Sequence, residues 1–158
     1  MKKANILSIL IAALMVTVLL SSCGITDAEP DASLLHCSVT VTATDVLENK
    51  SLFPEEKLPL VPDDGIIFKN DSVAFNDGDD LLSVITKALQ SDKVQYELQG
   101  GTYFIAFGNI YASDCTYGGW MYTVNGALPE VGAAETKLAD GDTVEFFYVC
   151  DYNAYFGM

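Results

Sequence analysis

Valines and threonines alternate from Cys37 to Ala43. Val39 and Val41 point one way and Thr40 and Thr42 the other, the period of a half-buried strand. Residues 48–65 break that rhythm with three of the five prolines and several charges, so they read as a long loop. Ile66–Phe68 and Ser72–Phe75 follow as short extended pieces. The spacing changes at Leu81, Leu82, Val84, Ile85, Ala88 and Leu89, which share one face of a helix ending near Ser91. Asp79 or Asp80 stands where a helix N-cap is needed, and a carboxylate there also suits the helix dipole.

Beyond the helix the pattern is strand-like and aromatic. Val94, Tyr96 and Leu98 alternate, Gly100-Gly101 turns the chain, and Thr102 to Phe107 returns as a hairpin partner. Residues 112–119 form a loop. Trp120 to Val124 is a strand ending at the turn pair Asn125-Gly126, and Asp140-Gly141 turns into Thr143–Val149, the strongest strand. One amphipathic helix among strands must bury its stripe against a sheet. The expected class is α+β: a β-grasp-like mixed sheet with the helix packed on one face, occupying residues 36–158.

The first residues have another logic. Lys2 and Lys3 precede a run from Ile6 to Leu20 that is apolar except for Ser8 and Thr17. Fifteen helical residues reach roughly 22 Å, short of the ~30 Å hydrocarbon layer, so residues 1–22 read as a signal peptide rather than a span. Leu20-Ser21-Ser22-Cys23 is similar to a bacterial lipobox. That resemblance implies a diacylglycerol on Cys23, a tether over 23–35, and a chain held on the extracytoplasmic face of the cell membrane.

Charge narrows the partners. Beyond Cys23 there are six lysines against 22 acidic residues, a formal charge of −16, and no arginine anywhere. Nucleic acid is excluded, because phosphate contacts need a basic face. Three acidic clusters, Asp63-Asp64, Asp77 to Asp80 and Asp140 to Asp142, invite a calcium reading. No twelve-residue EF-hand pattern is present, and turns and caps explain each cluster. No metal site is expected. His36 is the only histidine and stands beside the tether.

Outside the cytoplasm disulfides persist. If 120–124 pairs antiparallel with 143–149, Cys115 and Cys150 become neighbours. Their bond would close a loop of about 35 residues, adding roughly 3–4 kcal/mol in the chain-entropy treatment. Cys37 would be the odd thiol.

The stretch Gly118-Gly-Trp-Met-Tyr-Thr-Val-Asn-Gly126, followed by Pro129, Gly132, Leu138-Ala-Asp-Gly-Asp142 and Tyr148, resembles the transcobalamin-like C-terminal domain family. Asn76-Asp-Gly-Asp-Asp80 and the helix after it agree, and the resemblance runs from about Ser38 to Asp151. It implies a non-catalytic binding domain on the cell surface, with cobalamin or another flat molecule as ligand and transfer to a transporter as a further step. The animal cobalamin carriers form their site jointly with a helical domain that has no room here. The alternative is an adhesion or assembly module that binds another surface protein or a cell-wall polymer.

The sharpest ligand-binding constellation is Tyr117, Trp120, Tyr122 and Asn125. A Trp and a Tyr on one strand face beside a glycine-rich loop can stack on a flat ring. The same alternation also fits a core face under the helix, and Asn125-Gly126 also fits a plain turn. No nucleophile elbow, catalytic triad spacing or phosphate loop appears, so no enzyme activity and no cofactor are expected.

Overall fold

The computed structural model describes residues 34–158. The leader, Cys23 and most of the tether, on which the export and lipidation expectations rest, lie outside the described residues. No helix among the described residues is long and apolar enough to cross a membrane.

β1 (Leu35–Thr42) leads through a short helix α1 (Thr44–Glu48) into two 3-10 turns, Lys50–Leu52 and Glu55–Leu60. Then come β2 (Ile66–Phe75), helix α2 (Leu81–Ser91), β3 (Tyr96–Gln99), β4 (Tyr103–Phe107), β5 (Ile110–Tyr111), β6 (Gly119–Val124), β7 (Thr143–Val149) and a short terminal helix α3 (Tyr152–Phe156). The α+β class is correct, but there are two sheets where the pattern predicted one. A four-stranded mixed sheet has the order β2-β1-β7-β6, and a three-stranded antiparallel sheet has the order β3-β4-β5. Only β1 and β7 run parallel. The split arises because β4 is paired on both sides, with β3 through the Gly100-Gly101 turn and with β5 through a tight turn at Gly108-Asn109. β5 covers only Ala106 and Phe107, so the start of β4 is unpaired on that side.

Local chemistry explains the elements. Asp80 caps α2 by accepting from Ser83 N at 2.8 Å, which holds its carboxyl below the usual range. Leu81, Val84, Ile85, Ala88 and Leu89 form the buried stripe of α2. The two pieces expected at 66–68 and 72–75 are one strand, bulged opposite Cys37–Val39. The loop expected at 48–65 is largely wound into 3-10 turns, fastened by Lys57, which pairs with Asp114 at 2.6 Å and lies over the Tyr111 ring.

The core lies between the two sheets and α2. Phe107, fully buried, stacks on Phe104 and meets Trp120 and Phe146 at ring-centre distances of 4.8 and 5.3 Å. The Tyr148 ring meets Trp120, and its hydroxyl accepts from Cys115 N and donates to Tyr111 O.

The β6–β7 pairing brings Cys115 and Cys150 together as expected, with Gly119 opposite Val149. The expected bond between them is absent: Cys37, Cys115 and Cys150 are all free, buried thiols. A disulfide requires sulfurs near 2.05 Å at a fixed dihedral. Here the Cys150 thiol is buried near Cys115, and the Cys150 backbone N–H donates to Asp45 Oδ2 at 2.7 Å. Burial, then the neighbouring Cys115, raises the Cys150 pKa well above an ordinary thiol.

Candidate functional site

The two sheets do not close completely where β4 begins and β6 runs along the margin of the four-stranded sheet. An apolar cavity of about 350 Å³ remains there, within the size range of small-ligand pockets. Phe104, Trp120, Tyr122 and Phe146 form its interior, with Thr102 and Tyr103 on one side and the segment 128–133 on the other. Tyr103, Leu128 and Val131 are about half exposed and ring the mouth.

Each wall has a local cause. Asn125 and Gly126 both have positive φ, 54° and 77°, the signature of a two-residue type I′ turn. The turn is locked by Asn125 Nδ2 donating to Asp142 Oδ1 and Thr143 N donating to Asn125 Oδ1. The chain then doubles back beside β6, and Val124 and Ala127 exchange two backbone hydrogen bonds at 3.0 Å. Pro129 has no N–H and cannot continue this pairing. The segment swings outward instead and is tied at Val131, whose carbonyl accepts from the Tyr122 hydroxyl at 2.7 Å. That hydroxyl also bonds Thr136 at 2.9 Å. Burial raises the Tyr122 pKa; the nearby Glu135 adds to the rise and the Thr136 bond opposes it.

The four residues singled out in the sequence are not gathered in one place. Trp120 lines the cavity but is a core residue, buried and donating from Nε1 to Ile110 O at 3.0 Å. Tyr122 lines it too, stacked on Phe146 with ring centres 5.2 Å apart. Tyr117 is 61% exposed and lies elsewhere, bridging to Asp151, while Asn125 serves the turn. The pattern gave no notice of Tyr103, Leu128, Val131 and Phe146. The available signal was two large apolar residues, Leu128 and Val131, placed in a turn-rich segment where no strand or helix period calls for them.

The lining contains no His, Cys, Asp, Glu or Lys; its polar side chains are the hydroxyls of Thr102, Tyr103 and Tyr122, and the rest is apolar surface suited to an apolar ligand. Among the described residues no cluster of His, Cys, Asp and Glu can hold a metal ion. His36 sits on β1 beside Asp140 and Gly141, away from the cavity. Asp64, Asp79, Asp80 and Asp142 each accept from a backbone N–H two or three residues away in a turn or cap, and Asp140 accepts from His36 N of β1.

A family model described as a domain of unknown function (DUF4430) matches residues 78–149, from just before α2 to the end of β7. Over that stretch the chain is similar to this family. No curated protein matches it. Among solved structures it is similar to haptocorrin in complex with Cbi, at 16% identity and a TM-score of 0.53. That alignment covers 74% of this chain and 25% of haptocorrin, so the chain spans about a quarter of haptocorrin's length. A protein from Ruminococcus gnavus ATCC 29149, described as a candidate metal-binding protein, is 21% identical with a TM-score of 0.44, over 75% of this chain and 99% of that one. At these identities the haptocorrin likeness establishes a shared fold.

Proposed function

We propose that this chain is a non-catalytic binding domain, and that the cavity between β4, β6 and the 128–133 segment is where its ligand enters. The observation that carries this is the lining: aromatic and aliphatic surface open to solvent, with hydroxyls of Thr102, Tyr103 and Tyr122 as its polar side chains. A flat, largely apolar molecule suits stacked Tyr122 and Phe146 as a floor. A corrinoid is the first ligand to try, supported by the resemblance to the transcobalamin-like family and by the fold shared with haptocorrin, which was solved with Cbi. The Leu20-Ser-Ser-Cys23 motif supports a lipid anchor on Cys23 and capture at the outer face of the membrane, with handover to a transporter as the next step.

Calorimetry of cyanocobalamin against residues 33–158 tests the ligand; all core residues lie within this unit. Saturable heat that disappears in Val131→Glu is the expected result. Absence of heat at high micromolar ligand removes the corrinoid. Radiolabelled fatty acid incorporated into the chain and lost in Cys23→Ser tests the anchor.

The second reading, a module that binds another surface protein, is favoured by one observation: Tyr103, Leu128 and Val131 leave apolar surface about half exposed around the cavity.

A further inference from the structure

The segment that borders the cavity is firmly anchored at both ends and barely held between them. At one end Ala127 exchanges two backbone hydrogen bonds with Val124. At the other, Gly132 O accepts from Glu135 N and Thr136 N, and Ala133 O accepts from Leu82 N, which pins the chain to the start of α2. Among the described residues, none of 128–131 makes a backbone–backbone hydrogen bond. Their one tie is the Tyr122 hydroxyl, which donates to Val131 O at 2.7 Å. The post for this tie is rigid, because Tyr122 lies opposite Phe146 in the β6–β7 pair and stacks on its ring. Its hydrogen is committed, since a carbonyl can only accept. Thr136 Oγ1, which contacts both the Tyr122 hydroxyl and Gly132 O, has one hydrogen for those two contacts.

The same short stretch carries apolar surface on the cavity rim. Leu128 and Val131 line the cavity and are both about half exposed. Covering a ligand with them would take that surface out of water. Parting the Tyr122 bond is a small barrier to such a movement, because one net hydrogen bond shifts an equilibrium only about fivefold and the freed carbonyl can turn to water. Gly132 suits a hinge, since it has no side chain and open space where one would stand. We propose that residues 128–131 are a lid on the cavity, latched by the Tyr122 hydroxyl, which lifts to admit a flat, uncharged apolar molecule and recloses with Leu128 and Val131 on its outer side. This supplies the regulation of the site proposed above and rests on the cavity being the ligand site.

Glu130 is exposed in the middle of the lid, so a glutamyl endopeptidase reports the lid's position. The experiment follows cleavage of the Glu130–Val131 bond by mass spectrometry in residues 33–158, which hold the whole core. The probe is N-phenyl-1-naphthylamine, a neutral flat fluorophore. Its fluorescence should rise saturably with the protein and stay low with Val131→Glu. At saturation it should slow the cleavage at least fivefold, and Tyr122→Phe without probe should speed it about fivefold. Cleavage after Glu97 in β3 needs global opening and should stay slower than cleavage after Glu130 in both proteins. Equal cleavage after Glu130 in wild type and Tyr122→Phe overturns the latch. Cleavage after Glu130 that merely tracks cleavage after Glu97 overturns the lid, because the segment then opens only with the whole fold. A bound probe that leaves cleavage after Glu130 unchanged overturns the lid while the cavity stands. If no probe fluorescence appears, the cavity reading itself falls and the lid falls with it.

Discussion

The two margins of the four-stranded sheet are built on opposite principles. On β2 the margin is polar and irregular. Lys69 and Asp71 are exposed and lie within 3.4 Å of each other, Asn70 Oδ1 accepts from Ser72 N, and the bulge bends the strand. These devices discourage another chain from pairing there. On β6 the sequence is Gly-Trp-Met-Tyr-Thr-Val, with no charge and no bulge; its start is buried in the core and its end is paired by the short hairpin before Pro129. The β2 margin thus faces solvent as polar, bulged backbone, whereas β6 runs beside the apolar cavity with Trp120 buried in the core.

Four changes test the contrast, from largest effect to smallest. Phe107→Ala removes the ring at the centre of the aromatic cluster and should cost about 3–5 kcal/mol in chemical denaturation. A smaller loss would mean that the cavity end collapses to fill the gap, and that the β6 margin is soft.

Raising the pH is next. Burial, then the charge of Asp142, pushes Cys37 up to about 11 from 9.0, and burial pushes Tyr152 up to about 12. The fold thus favours the neutral thiol. Stability should be full below about pH 9 and fall as pH rises toward 11, by on the order of 2 kcal/mol from Cys37. Cys37→Ala should make the slope between pH 9 and 11 shallower, the remainder coming from Cys150 and Tyr152, whose pKa values burial also raises.

Tyr122→Phe deletes the hydroxyl that ties the 128–133 segment through Val131 and Thr136. About 1 kcal/mol should be lost, with faster amide exchange across 128–133 and none of it reaching β2. Lys69→Val should change stability by less than about 0.5 kcal/mol, since an exposed pair contributes little. Its effect should appear in sedimentation as self-association through β2, which the wild type resists.

How much of this was readable in advance divides along the same line. α2 and its Asp80 cap follow from local spacing, as do the Asn125-Gly126 turn and the strand at 143–149. Each is fixed by neighbours within a few residues. The second sheet was not legible, because whether β4 joins β6 or stays between β3 and β5 depends on distant pairing choices. The cavity was missed for the same reason. Trp120 and Tyr122 were visible as an alternating pair, but Tyr103 and Val131 reach the site from segments whose local patterns say only hairpin and loop. Cys115 and Cys150 show the limit from the other side: pairing of the strands predicts their proximity, while bond formation depends on how each sulfur is held.

Ser38 and Thr143, side by side in the parallel pair, are 105 residues apart in the chain. β1 emerges first from the ribosome and has only β2 beside it until the second-to-last element arrives. Tyr152 of α3 then presses its hydroxyl where a side chain on Gly119 would stand, so the start of β6 is seated by the helix that follows β7. A nascent chain truncated before residue 143 lacks the strand on which both β1 and β6 are zipped. Closure of the four-stranded sheet therefore waits for β7, a pairing of high sequence separation that slows folding.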